Sequence, residues 1–163
     1  VAARPEVGVS ADAVIVGWRE WLALPEIGIR IVRAKIDTGA RSSALHVERW
    51  EDFHRDGMRW VRYELKPTSR RRAAVVRESP VVDERHVTDT GGNRTLRPFI
   101  RTRVVIGEAS WEIEMNLTNR RGMLFPMLLG RTAMAGRLLV DPARSYVLGR
   151  PHHVHARHLP ASP

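Results

Sequence analysis

The chain has 163 residues, no cysteine and a formal net charge of +9, from 27 Lys and Arg against 18 Asp and Glu. A disulfide framework and a thiolate zinc site are thereby excluded, and no apolar run approaches the ~20 residues of a membrane helix. With 43% hydrophobic and 28% charged residues, the chain fits one domain that buries a core without covalent staples.

The ends read as tails. Residues 1–12 are short and irregular, and residues 150–163 are rich in His and Pro without an apolar period, which marks them as disordered. Val1 to Val9 lack the charged start and apolar stretch of a signal peptide. The first residue is valine, which leaves room for an upstream segment. Together with the missing cysteines, this points to a cytoplasmic protein.

Between the tails, residues 13–149 read as one all-β domain. Ala13 to Trp18 is a β-branched run, Leu24 to Gly28 a turn, and Ile29 to Ile36 a strand ending at Asp37. Trp60 to Lys66 alternates, with Val61, Tyr63 and Leu65 on one face and Arg62, Glu64 and Lys66 on the other. Ala73 to Val76 and Val81 to Val87 continue the extended pattern around Pro80, and Thr88 to Asn93 has turn chemistry. Leu96 to Ile106 and Ser110 to Leu117 flank Gly107-Glu108-Ala109 and should pair as a hairpin. In its second arm Trp111, Ile113, Met115 and Leu117 share one face, opposite Glu112, Glu114 and Asn116. A short helix is expected from Thr132 to about Gly136, then strands at Arg137 to Val140 and Ser145 to Leu148.

The chemistry concentrates in Ala34-Lys35-Ile36-Asp37-Thr38-Gly39-Ala40, an apolar strand running into Asp-Thr-Gly and a small residue. Such a loop presents a carboxylate at a tip where it can meet a second carboxylate and a water. Gly39 allows close approach of its N–H, the Thr38 hydroxyl can lock the loop, and Ala40 leaves room for a neighbouring loop. The plainer alternative is that Asp37 only caps a turn before Arg41-Ser42-Ser43. A second Asp89-Thr90-Gly91 has no buried strand leading into it and reads as a hairpin tip. One catalytic aspartate per chain requires a second copy of the chain to complete the pair. Phe125 to Arg131 then supplies an apolar-apolar-glycine segment, Leu128-Leu129-Gly130, ahead of the helix. The order of catalytic loop, flap hairpin (Asp89, Thr90, Gly91, Gly92, Asn93, Arg94) and apolar-apolar-glycine segment is that of retropepsins.

Gly17 to Trp21, Leu24 to Ile29, Ala34 to His46 and Asn119 to Met134 resemble the bacterial retropepsin-like, RimB-like proteins often labelled ATP-dependent zinc proteases. The similarity spans roughly residues 13 to 149. It implies a closed retropepsin-like barrel with one short helix near the C-terminal side, a twofold homodimer, and Asp37 in the place of the family's catalytic aspartate. It also implies functional association with ATP-grasp ligases that add glutamates to proteins. The chain itself has no His-Glu-x-x-His helix and no phosphate-cradling glycine loop, so neither metal nor cofactor is expected. His46, His54 and His86, and His152, His153, His155 and His158 near the C-terminus, carry no defined ligand spacing.

Arginines recur at 70–72 and 77, at Arg94, Arg97, Arg101 and Arg103, and at Arg120-Arg121. They concentrate polyanions or simply keep the surface solvated. Those near the flap, with Arg94 and Arg97 as substrate-binding candidates, suit the carboxylates of an acidic or glutamate-rich peptide. Aromatics make up only 6% and no recognition helix is apparent, so no specific nucleic-acid partner is expected. The reading is an aspartic endopeptidase acting on protein substrates. The alternative is a non-catalytic peptide-binding module on the same fold.

Overall fold

Extended backbone dominates the computed structural model, which describes residues 12–66, 74–119 and 124–151. In chain order the strands are β1 (Val14–Gly17), β2 (Arg19–Leu24), β3 (Ile29–Asp37), β4 (Ser43–His46), β5 (Arg49–Arg55), β6 (Met58–Leu65), β7 (Val75–Pro80), β8 (Asp83–Thr88), β9 (Arg94–Ile106), β10 (Ala109–Thr118), β11 (Met127–Gly130) and β12 (Leu138–Asp141). Among the described residues the one α-helix, α1 (Arg131–Met134), lies between β11 and β12, and a 3-10 turn, Pro25–Ile27, joins β2 to β3.

Six strands close into a barrel in the order β10-β4-β11-β3-β2-β9, sealed by the β9–β10 hairpin. Closure removes the free edges that an open sheet would expose. Leu22, Leu24, Val32, Ala34, Ile100, Val104, Met115, Leu117, Met127 and Leu129 fill the interior. Strands β3 and β11 run parallel, as do β4 and β10, so both contacts join segments far apart in sequence. The all-β barrel with one short helix is the fold expected of the chain.

Two smaller sheets complete the structure. Strands β5, β6 and β7 form an antiparallel sheet in which Val61, Tyr63 and Leu65 are buried as their alternation requires. On its outer face Arg62 bridges Glu51 and Glu78, and at the end of β6, on the face of Val61, Arg59 bridges Asp52 and Glu84. These cross-strand pairs account for the polar strand β5, which has no apolar alternation to announce it. Strands β1 and β12 form a parallel pair in which Ile15 lies opposite Leu139.

Several local expectations change. Strands β2, β4 and β5 were not expected, and Pro80 ends β7 rather than interrupting a longer strand. Asn116, assigned by alternation to the outer face of β10, is buried. The helix starts at Arg131 and ends at Met134. Ser145 to Leu148 is not a strand. Its backbone turns inward, and the N–H groups of Val147 (2.9 Å) and Leu148 (3.5 Å) donate to the buried carboxylate of Glu20. Tyr146 adopts φ 52° in this turn. Ala73 lies outside the described residues, as do Arg70, Arg71, Arg72, Arg120, Arg121 and the four C-terminal histidines.

Candidate active site

Strand β3 delivers Asp37 to the rim of the barrel. Val32, Ala34 and Ile36 point inward, while Arg33 and Lys35 face solvent. At the strand's end, Asp37 Oδ1 accepts the N–H of Gly39 (3.0 Å) and of Ala40 (3.1 Å). Asp37 therefore does cap its own turn, and doing so leaves Oδ2 available. Lys35 Nζ lies 4.0 Å from that oxygen, and the Asp37 side chain remains 27% exposed.

The apolar-apolar-glycine segment is β11, and it runs beside β3 with Gly130 in register with Asp37. Leu129 is fully buried and Leu128 nearly so. Glycine is obligatory at 130 for a steric reason: a β-carbon there would lie 2.6 Å from the Ser42 carbonyl oxygen. The Gly130 N–H donates to Ser43 Oγ (3.0 Å). Immediately beyond it, the Arg131 N–H donates to the Ala40 carbonyl (2.7 Å), and Thr132 donates to the Arg41 carbonyl from both its N–H (3.1 Å) and its hydroxyl (3.0 Å). The Arg131 guanidinium reaches back to the carbonyls of Thr38 (3.0 Å) and Gly39 (3.4 Å). Arg131 and Thr132 thus hold the loop together. Thr38 is exposed and its hydroxyl makes no hydrogen bond among the described residues.

The β8–β9 hairpin forms the opposite wall. At its tip Asp89 Oδ1 accepts the N–H of Gly91 and of Asn93, each at 2.9 Å. These bonds, those from Asn93 first, hold the Asp89 carboxyl below its ordinary range, with the charge of Arg97 adding to the effect. Both Asp-Thr-Gly tripeptides therefore fold as aspartate-capped turns that share the bond to the glycine N–H, with the second bond one residue longer at Asp89. They differ in what precedes them. β3 is an interior barrel strand, whereas β8 is the outermost strand beyond β9. Gly92 takes φ +83° in this turn, and Thr90 to Arg94 are exposed.

Between the two loops lies a cleft of ≈ 400 Å³ lined by Lys35, Asp37, Ala40, Leu128, Asp89 and Arg97, among others. Val87, Thr88 and Thr90 of the hairpin and Asn116 and Thr118 of β10 complete much of its wall. Of the expected site residues, Asp37, Ala40, Leu128, Asp89, Thr90 and Arg97 thus come together at this cleft. The four arginines near the flap do not act alike. Arg97 is buried beside the cleft and Arg94 is exposed at the start of β9. Arg101 pairs with Glu112 and Glu114, and Arg103 lies near Glu26, so neither faces the cleft.

Four participants escaped the sequence reading: Lys35, Ser43, Asn116 and Arg131. Asn116 Nδ2 donates to the Ser43 carbonyl (2.9 Å), and its Oδ1 accepts from Arg97 Nη1 (3.1 Å). With the Gly130-to-Ser43 bond, this connects the flap strand to the segment beside Asp37. No local signal marked Asn116, because it continues the polar face of Glu112 and Glu114. Among the described residues no three His, Asp or Glu side chains gather as a metal site. His46 lies against Glu48 (3.2 Å).

A family described as "Retropepsin-like aspartic endopeptidase RimB" matches residues 15–151. The chain belongs to this RimB-like family. It is 47% identical over 137 residues to a probable alpha-L-glutamate ligase of Parasynechococcus marenigrum, covering 83% of this chain and 29% of that protein. Proteins of the same description from Desulfotalea psychrophila and Shewanella halifaxensis are 43% and 38% identical over 83% and 93% of the chain, and 29% and 33% of their own lengths. The chain therefore spans about a third of the length of these relatives. Its fold resembles the crystal structure of a Legionella pneumophila protein of unknown function, with a TM-score of 0.69 and 27% identity, covering 83% of this chain and 98% of that one.

Proposed function

We propose that this RimB-like chain is an aspartic endopeptidase whose hydrolytic pair forms when Asp37 of two identical subunits meet across a twofold axis. The observation that carries the reading is the placement of Asp37. It ends an interior barrel strand, is backed by Gly130, and shares a cleft with the flap hairpin while Oδ2 remains available. Two carboxylates in contact cannot both carry charge, so the pair holds one proton. The ionised member takes a proton from a bound water as that water attacks the peptide carbonyl. The protonated member hydrogen-bonds the carbonyl oxygen, then supports the tetrahedral intermediate while the leaving nitrogen is protonated. In this reading the Thr38 hydroxyl, which makes no hydrogen bond among the described residues, bonds across the twofold axis.

The substrate is an acidic, glutamate-rich protein segment, processed in the cytoplasm. The names of the relatives support this choice, since an alpha-L-glutamate ligase makes glutamate-bearing products that an endopeptidase can shorten, and they support functional association with an ATP-grasp enzyme of that kind. The same names favour one second reading, in which the cleft holds an acidic peptide for such a ligase without cutting it.

The test is hydrolysis of a glutamate-rich protein tail by purified protein and by Asp37→Asn, with product masses and solution molecular weight measured together. Cleavage by a dimer that falls about 10²- to 10⁴-fold in the variant is expected. Cleavage that survives the substitution would overturn the assignment, and binding without cleavage in both proteins would favour the second reading.

A further inference from the structure

Arg97 is 8% exposed, yet it has no carboxylate within ion-pair distance among the described residues. Its Nε donates to Thr95 Oγ1 (2.9 Å) and its Nη1 to Asn116 Oδ1 (3.1 Å), both neutral acceptors. Nη2 has no partner among the described residues. No buried side-chain nitrogen or oxygen of those residues lacks a hydrogen bond, so Nη2 must be one of the atoms that solvent reaches. The open space beside Arg97 is the cleft it shares with Asp37. The nearest acidic group on the flap, Asp89, influences Arg97 electrostatically but is already capped by Gly91 and Asn93.

A buried guanidinium is costly unless paired. Most arginines facing the sheets here are paired: Arg59, Arg62, Arg85 and Arg101 each bridge two carboxylates. Arg97 stands apart from these, held by two neutral side chains while it lines the cleft. We infer that Arg97 is the carboxylate anchor of the cleft, its Nη2 donating to a side-chain carboxylate of an acidic peptide lying between Asp37 and the flap. This deepens the proposed function and rests on its placement of the peptide. Thr95 and Asn116 fix the plane of the guanidinium. Through Ser43 and Gly130, Asn116 also ties that plane to the segment behind Asp37, so the anchor and the catalytic loop keep a fixed relation. Lys35, exposed at the same cleft, adds positive charge without fixed geometry.

The experiment measures binding of an end-blocked hexaglutamate peptide and its isosteric hexaglutamine counterpart by calorimetry, at physiological salt, on full-length Asp37→Asn protein so that nothing is cleaved. Adding Arg97→Gln is expected to weaken the glutamate peptide about 10- to 100-fold, as for loss of a hydrogen bond to a charged group, and to leave the glutamine peptide within about twofold. Arg30→Gln, which removes the same charge from an exposed position, should change either affinity by less than about threefold, because salt screens exposed charge. An Arg97→Gln effect no larger than that of Arg30→Gln, or equal weakening of both peptides, overturns the anchor. If Arg97→Gln does not fold, the Arg97 guanidinium NMR signals of the Asp37→Asn protein decide. They should shift with the glutamate peptide alone, and signals unmoved at saturation overturn the proposal. Wild-type cleavage of both peptides without preference would sink the anchor and leave the hydrolytic reading standing. Glutamate-selective binding without any wild-type cleavage would do the reverse.

Discussion

Asp37 and Gly130 are register partners across the parallel β3–β11 pair, and the glycine's bare α-carbon packs against the Ser42 carbonyl. The loop after Asp37 turns and passes Ser42 at the one point where β11 has no side chain. Gly130→Ala therefore places a methyl group into backbone that cannot move without displacing the Ser43 bond and the Arg131 and Thr132 contacts to the loop. A loss of about 1–3 kcal/mol is expected for such overpacking, read as a lower urea midpoint with an unchanged slope. Hydrolysis should fall further than stability alone explains, because the strain is delivered to the turn that aims Asp37. Wild-type stability and activity in Gly130→Ala would show that this contact does not hold the loop.

The two Asp-Thr-Gly turns separate by kinetics. Asp37 and Asp89 each accept the N–H two residues on, but the second N–H comes from three residues on at Asp37 and four at Asp89, and one sits at the mouth of the barrel and the other at a hairpin tip. Asp37→Asn should lower kcat about 10²- to 10⁴-fold, whereas Asp89→Asn should act mainly on KM by loosening the hairpin turn. About 1 kcal/mol for a lost turn bond corresponds to a KM change of about fivefold. Steady-state kinetics on the two variants checks this, and a kcat loss in Asp89→Asn as deep as that of Asp37→Asn would contradict it.

How much of this was legible depended on whether the signal was local. Strand β3, the β9–β10 hairpin and the inward face of β6 announce themselves through alternation and turn residues within ten or so positions. The catalytic loop was legible because its residues are contiguous. Strand β5 was not, since its stability comes from Arg62, Arg59 and Arg55 reaching acidic groups on neighbouring strands rather than from an apolar face. Ser145 to Leu148 looked like a strand by composition, but Glu20, more than 120 residues earlier, claims its N–H groups. Asn116 and Arg131 were missed for the same reason. A polar side chain in an alternating strand faces water by default, and only the barrel's closure places Asn116 between Arg97 and Ser43.

Acid should weaken the fold in a defined window. Arg55 and Arg62 hold the Glu78 carboxyl below its ordinary range, Arg101 and Arg85 do so for Glu114, and Arg85 with the Glu84 N–H does so for Asp83. Each of these groups has a lower pKa folded than unfolded, so its contribution is complete above the unfolded value and is lost as pH falls through the folded one. Urea midpoints should be level above about pH 5 and decline below about pH 4, where unfolded carboxylates begin to take up protons. These groups are largely exposed, so the decline is small and 1 M salt should flatten it. A midpoint that rises on acidification would contradict the pairing.

The largest single-residue loss is expected away from the cleft. Glu20 is fully buried and its carboxylate accepts the N–H groups of Gly17 (2.8 Å), Val147 (2.9 Å) and Leu148 (3.5 Å). It thereby pins the turn that follows β12 to the β1–β2 junction, where Gly17, the last residue of β1, has no room for a β-carbon against the Arg144 carbonyl. Glu20→Gln is nearly isosteric, so packing is preserved and only the acceptor chemistry changes. The substituted side chain would keep one oxygen for Gly17 and Val147 but turn an amide donor towards the Leu148 N–H, and every bond would lose its charge assistance. A destabilisation of about 1.5–3 kcal/mol follows from the usual worth of a hydrogen bond to a charged group. Hydrogen exchange should show the accompanying opening at Val147 and Leu148 before any at Ile36 or Leu129, which lie in the barrel. Equal protection at 147 and 148 in variant and wild type would mean that the carboxylate is not what holds the C-terminal turn in place.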